Sequence, residues 1–499
     1  MKRKAMFILI VLLAWPVFAR AQDAGTILNA ASTALGANSL RSIEFSGRGT
    51  DGIFGQPYDG SSPWPIFNVP TMTMTIDFVT PAMRDDRRRQ QLLNPPRGGG
   101  FQPLVGELRQ TWVLSGAYAW DMVGPNAVPA PPERDFRSAV DGRLAQIWLT
   151  PQGFVKAALA GKASARTETI RGVKKTIVSF TAPNKMTYEA VIGDQNLVEA
   201  IETWYGSPML GDTKLEAAFS GYKDFAGVRF PTHIVQRNGG FPVLDLTITD
   251  VKPNVAVNIE VPPPIRQAPA PGPETAQAEK VAEGIWLVPG GAKSVAIEFR
   301  DHIVVVDAPE TEARSILVID AVKRAIPGKP IRYLINTHHH FDHSGGLRTY
   351  AAEGATIITQ QANVAFYENT WRNPRTITPD RLAKSGRTPV FEGLTGSRLM
   401  RDATRELRIY HYDGNMHNPG MLMVYLPREK LLIEADSWTP PARRGDLPGA
   451  VPNLVTFYDA VMRLSLDVEQ VLPIHGRLTP FSEVRESVEA YGNTQVWAK

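Results

Sequence analysis

The stretch from Val261 to Glu279 (VPPPIRQAPAPGPETAQAE) does most to limit how this chain can fold. It holds six prolines (Pro262, Pro263, Pro264, Pro269, Pro271 and Pro273) and has no hydrophobic periodicity. Proline lacks the backbone donor that a helix interior or a central strand needs, so the run belongs inside neither. It reads as an extended, semi-rigid linker. The 499 residues are therefore expected as two folded bodies, 22–261 and 280–499, joined by 262–279 and preceded by a leader, 1–21.

The leader, MKRKAMFILIVLLAWPVFARA, has a basic start, an apolar run from Ala5 to Phe18, and Ala19-Arg20-Ala21 as a small-x-small cleavage site. These are the parts of a secretory signal peptide. A run of 14 residues is too short to span a bilayer core, which needs roughly 20 residues as a helix. Cleavage near Ala21 is expected, leaving a periplasmic or secreted chain with no membrane anchor. The leader also accounts for the net charge. Lys2, Arg3, Lys4 and Arg20 lie within it beside no acid, so 50 basic and 50 acidic residues remain after it is removed. Such a balanced chain has no global field to draw it onto nucleic acid or an anionic membrane, and a small-molecule substrate is expected instead. A hydrophobic content of 43% excludes intrinsic disorder. The absence of cysteine excludes a disulfide scaffold and a thiolate metal site.

Residues 22–261 are rich in strand signals. A helix is expected at Ala24–Leu35. Thr71–Phe78 (TMTMTIDF) alternates as a half-buried strand does, and Val228–Arg237 and Val243–Val251 flank Asn238-Gly239-Gly240 as a hairpin. His233 lies mid-strand with no second ligand nearby and is expected to be structural. Arg84, Arg87, Arg88 and Arg89 are interrupted by Asp85 and Asp86 and lack a stacking platform, which suggests a solvated loop or edge. Helix followed by antiparallel strands, with the stretches GVRFPTHIV and PVLDLTITDVKPN, loosely resembles lipoprotein-carrier half-barrels. That resemblance implies a lipophilic ligand or a partner; a β-rich accessory domain with no ligand is the other reading.

Beyond the linker, strands and helices alternate. Gly284–Pro289, Ser294–Phe299 and Ile303–Val306 read as strands, the last ending at Asp307. A helix follows at Thr311–Ala325, stopped by Pro327-Gly328, then a buried strand at Tyr333–Asn336. Directly after it comes Thr337-His338-His339-His340-Phe341-Asp342-His343-Ser344-Gly345-Gly346, whose skeleton is H-x-H-x-D-H. Three imidazoles and a carboxylate this close repel one another and lose hydration unless a cation organises them. Imidazole nitrogen and carboxylate oxygen are donors that zinc accepts. The alternation in His338-x-His340 turns both rings toward one metal, and Asp342 and His343 then face a second. His339 alternates away and is expected behind the ligands or facing solvent. The remaining ligands are sought where short strands break into loops: His417, His475 and Asp436. His411, within a strand, and His302, in a turn, are expected to lie outside the centre.

These residues closely resemble the metallo-β-lactamase superfamily over roughly Val281–Lys499. The resemblance implies an α/β fold, a four-layer αβ/βα sandwich. It also implies two zinc ions per chain, one on His338, His340 and His417, the other on Asp342, His343 and His475, with Asp436 bridging. Iron or manganese stays open. Many hydrolases of the superfamily carry Gly-Asp at the bridging position, where this chain has Ala435-Asp436-Ser437. That triplet also resembles the cysteine-free subclass of β-lactamases, in which the Asp need not bridge.

Two divalent ions about 3.5–4 Å apart share a water and generate hydroxide as nucleophile. Asp342 is the catalytic residue placed to orient it and shuttle its proton. No G-x-S-x-G elbow is present. The expected function is hydrolysis of an ester, lactone, thioester or amide, with a β-lactam among the candidates. The alternatives are an iron-dependent oxidoreductase on the same fold, or a lipophilic-ligand-binding protein with a secondary hydrolase domain. The stretch Asn369–Gly396 reads either as a lid or wall over the metals or as a plain surface insertion.

Overall fold

The computed structural model describes residues 23–494, apart from 132–137, 270, 271, 273, 442 and 445–450. The leader expected at 1–21 lies outside the described residues. Among the described residues no helix is long and apolar enough to cross a membrane.

The first helix, Ala24–Ala34, starts where the Asp23 carboxylate accepts the N–H groups of Gly25 and Thr26. Thirteen strands then form one antiparallel sheet. The first strand, Ser42–Gly52, pairs with the last, Phe241–Pro253, and the others extend outward from that pair on each side. The expected hairpin is present: Asn238 pairs with Phe241, leaving Gly239 and Gly240 as the turn at φ 60° and 92°. Helices Ala24–Ala34, Ala139–Trp148 and Pro151–Ala160 pack on one face of the sheet around Leu28, Phe45, Met74, Ile76, Phe154 and Phe180.

Two expectations for this half are corrected. The Arg84–Arg89 segment is neither a loop nor an edge; it belongs to the strand Ala82–Gln91, paired on both sides. Its odd-numbered residues face inward, where Arg87 and Arg89 bridge Asp51 at 3.1 and 2.6 Å and Arg87 also pairs with Asp85. Alternating charges satisfied on one buried face carry no hydrophobic period, so nothing in the sequence marks the strand as such. The linker is not extended throughout either. Pro263–Arg266 makes one helical turn, because Ile265 is buried against Val113 and Trp120.

Beyond it stand two sheets. The first has seven strands, from Glu279–Ala282 to Val390–Leu394, and the second six, from Ser397–Arg401 to Thr479–Pro480. Successive residues of one strand join different cores. Val304, Val306 and Ile335 meet Ile409, Val424, Ile433 and Leu472 between the sheets. Ile303, Val305 and Leu334 turn outward beneath the helices Glu312–Ala325, Leu347–Glu353 and Gln361–Thr370. On the far side Met423, Leu432 and Val471 pack under Val451–Arg463 and Phe481–Thr494. Strands buried on both faces read as unbroken apolar runs, as in Ile303–Val306. The result is the expected four-layer sandwich of helix, sheet, sheet and helix.

The Asn369–Gly396 stretch forms the end of one helix, the short helix Arg381–Ser385 and the strand Val390–Leu394. Between them it clamps the two halves of the chain. The Arg375 guanidinium donates to the carbonyls of Ser207, Pro208 and Met209 at 2.9–3.1 Å. Asp212 accepts the N–H groups of Thr376 and Ile377 at 2.9 and 3.1 Å.

Candidate metal centre

The strand Ile331–Ile335 ends at Asn336, whose amide donates to the His338 carbonyl at 2.6 Å while its oxygen accepts from the Tyr367 hydroxyl at 2.6 Å. That pins the start of the histidine loop. The neighbouring parallel strand ends at Asp307, held at φ 58°. Its carboxylate accepts Thr337 N–H and Oγ1–H, both at 2.8 Å, and His343 Nδ1 at 2.9 Å. A carboxylate that accepts a hydrogen bond from Nδ1–H leaves Nε2 as the lone pair facing inward. The Gly291 carbonyl does the same for His475, 2.9 Å from Nδ1.

All seven residues expected from the sequence are brought together, in two groups that share one member. His338, His340, His417 and Asp436 form the first; Asp342, His343, Asp436 and His475 form the second. The donor atoms of each group lie within 4.8 Å of one another. Asp436 Oδ2 is 3.3 Å from His338 Nε2, 2.9 Å from His417 Nε2 and 3.1 Å from His343 Nε2, and Oδ1 is 3.3 Å from His475 Nε2. Asp436 holds this position at φ 61°, a left-handed conformation that a non-glycine residue adopts only when its surroundings fix it. Ser437 is turned away, its hydroxyl 2.7 Å from that of Tyr412 and 2.9 Å from the Asn415 amide.

The electrostatics fit a cation. Burial and the nearby His343 push His338 down to about 3. Burial works against protonation of His343 as well, yet Asp436, Asp342 and Asp307 hold it well above its ordinary value. Burial also opposes the Asp436 charge, but His343, His475 and His417 keep that carboxyl well below the usual range. His340 supplies the most direct test. Its Nε2 donates to the Pro57 carbonyl at 2.8 Å, while its Nδ1 is buried and has no hydrogen-bond partner. A buried lone pair without a donor is costly unless a metal takes it.

The match to known proteins falls on this region. Residues 287–440 match the Metallo-beta-lactamase superfamily. That segment is a metallo-beta-lactamase domain. The alpha subunit of 2,4-dinitroanisole O-demethylase from Nocardioides sp. (strain JS1661) is 24% identical over 173 residues, 34% of this chain and 49% of that one. The acyl-coenzyme A thioesterase MBLAC2 of Homo sapiens is 26% identical over 209 residues, 38% of this chain and 72% of its own. The chain thus spans about half the length of the first relative. Among solved structures, a metallo-beta-lactamase from Pontibacter korlensis has 15% identity and a TM-score of 0.36, covering 44% of this chain and all of its own. The rubredoxin oxygen:oxidoreductase of Desulfovibrio gigas has 16% identity and a TM-score of 0.34, covering 43% and 61%.

The other histidines of the metallo-beta-lactamase domain join neither group. His339 is fully buried rather than solvent-facing, its Nδ1 2.8 Å from the Asn418 amide and its ring edge-on to Phe366. His411 Nε2 lies 2.8 Å from the Pro419 carbonyl, and His302 stacks on Phe299. In the N-terminal half His233 pairs with Asp245 at 2.7 Å across the hairpin strands. Sequence reasoning missed Asp307, although a β-branched strand ending in an acid was a usable signal. It also missed three contributors from the N-terminal half. Gln56 Nε2 donates to Asp342 Oδ1 at 2.8 Å, Pro57 accepts from His340, and Gly99 fits against both His340 and His417.

Proposed function

We propose that the chain is an exported hydrolase with a two-cation zinc centre that cleaves an ester, lactone, thioester or amide. The observation that carries this is Asp436, which alone belongs to both donor groups and sends one oxygen to within 3.3 Å of imidazoles in each. His338, His340 and His417 would hold one ion and Asp342, His343 and His475 the other, with Asp436 between them. Ions held there would supply Lewis acidity for a scissile carbonyl and for a water, whose pKa such ions lower to about 7.

The residues of the chain bind, orient and move protons. Asp307 and Gly291 fix the tautomers of His343 and His475, so that both present Nε2 inward. Pro57 does the converse for His340, leaving Nδ1 inward. Asp342, with one oxygen accepting from Gln56, orients the attacking water and carries its proton toward the leaving group. An all-imidazole and carboxylate donor set suits zinc, and the basic, apolar leader supports loading outside the cytoplasm. Similarity to the human acyl-coenzyme A thioesterase puts a thioester among the first substrates to try.

The test is to express residues 22–499, count bound metals per chain, and assay thioesters, lactones, β-lactams and simple esters. Two zinc ions, with turnover abolished in His340→Ala, are expected. Two irons with oxygen consumption would overturn the proposal.

A further inference from the structure

We propose that the metal centre is built by both halves of the chain, and that Gln56 is its positioning residue from the N-terminal half. This rests on the two-cation centre described above. Gln56 lies 286 residues from Asp342 in sequence, yet its side-chain amide donates to Asp342 Oδ1 at 2.8 Å in a buried contact. Asp342 Oδ2 is then the oxygen that faces the second group, 3.4 Å from His475 Nε2 and 3.7 Å from His343 Nε2. The amide thus selects which oxygen points inward. A carboxamide suits this task because it is neutral. It fixes the carboxylate without cancelling the charge a cation requires, as a lysine or arginine would.

The loop around Gln56 is itself fixed to the histidine loop. Phe341 N–H donates to the Gly55 carbonyl at 3.1 Å, and His340 Nε2 to the Pro57 carbonyl at 2.8 Å. A second N-terminal loop closes over the first. Gly98 N–H donates to the Met416 carbonyl at 2.9 Å and Gly99 N–H to the Gln56 carbonyl at 3.1 Å. At Gly99 a Cβ would stand 2.1 Å from Gln56 Oε1 and 2.8 Å from Cε1 of both His340 and His417. Only glycine lets the amide and the two rings sit this close together. Backbone and side-chain contacts from residues 55–99 therefore converge on Asp342, His340 and His417.

Cobalt titration of the metal-free full chain, followed by its visible absorption and by chelator competition, separates the two ions. Gln56→Leu removes the donor at nearly constant volume. The expected result is an unchanged first affinity, a second affinity weaker by about 10–100-fold, and a changed spectrum for the second ion only. Wild-type affinity and spectrum for both ions in this variant would overturn the proposal, and so would equal weakening of both, which marks general damage. If Gln56→Leu does not fold, Gln56→Asn, a donor one methylene short, is read by the same criteria. Gly99→Ala is expected to weaken both ions, because its Cβ strikes the Gln56 amide and two of the three rings of the first group, His340 and His417; wild-type binding there would also count against the shared centre. Failure of the wild-type chain to take up two ions would refute the two-cation centre itself, a different outcome from any of these.

Discussion

Replacing Asp307 with Asn exchanges one oxygen of a fully buried carboxylate for an NH₂ group and should uncouple one metal from the site. Asp307 accepts three hydrogen bonds at 2.8–2.9 Å, from Thr337 N, Thr337 Oγ1 and His343 Nδ1. In the Asp307→Asn variant the remaining oxygen can keep the backbone bond and the threonine hydroxyl can rotate. The new NH₂ group, however, faces the His343 Nδ1–H as donor against donor. The ring relieves this only by moving its proton to Nε2, the nitrogen that faces Asp436 and His475. A bond to a charged acceptor contributes about 1.5–3 kcal/mol net. Losing one such bond corresponds to a weakening of roughly 10–100-fold, at about tenfold per 1.4 kcal/mol. The same range is usual for groups that orient metal-bound imidazoles. Zinc titration against a chromophoric chelator measures it directly. In the proposed two-cation centre, the ion on His343 should weaken by that factor, and the ion on His338, His340 and His417 should not. Two ions bound as tightly as in the wild type would refute the assignment of Asp307 as the group that sets the His343 tautomer.

Other outcomes follow from the contact between the halves. Phe341 is buried against Phe54 and Trp64, with ring centroids 5.3 and 5.8 Å apart, so Phe341→Ala should destabilise the chain by about 3–5 kcal/mol, read as a lower midpoint in urea. Asp212→Ala removes the acceptor for Thr376 and Ile377 and should cost about 1–3 kcal/mol, with faster hydrogen exchange in residues 373–380. Partial burial pushes the Asp212 carboxyl up, but the bonds from Thr376 and Ile377 outweigh it and hold the group below its ordinary value. A depressed folded-state pKa stabilises above the unfolded value of about 3.9 and is lost as pH falls through the folded one. Protection in that segment, taken relative to the intrinsic exchange rate at each pH, should therefore fall below about pH 4 in the wild type and fall less over that range in the variant.

The C-terminal fold was legible because its signals are local. Ile303–Val306 and Leu431–Glu434 are buried on both faces, and the histidine loop follows a buried strand directly, so strand ends and ligands could be read together. Thr311 before Glu312–Ala325 is a plain cap. What stayed hidden depends on long-range pairing. Arg87 and Arg89 look solvent-bound until Asp51, from a strand two places away in the sheet, pairs with both and Asp85 pairs with Arg87. Gln56, Pro57 and Gly99 sit in loops without periodicity, and nothing near them in sequence names Asp342 or His340 as a partner. The triplet Ala435-Asp436-Ser437 does not show locally what its serine does, because Tyr412 and Asn415, which hold the Ser437 hydroxyl, lie more than twenty residues away.

The contact between Pro57 and His340 also ties metal capture to assembly of the two halves. The two residues are 283 positions apart. The N-terminal half brings Gly55, Gln56, Pro57, Gly98 and Gly99 to the histidine cluster. A C-terminal half that fails to dock against them has no acceptor for the His340 Nε2 proton and no donor for Asp342. Metal capture then becomes a checkpoint on assembly of the whole chain.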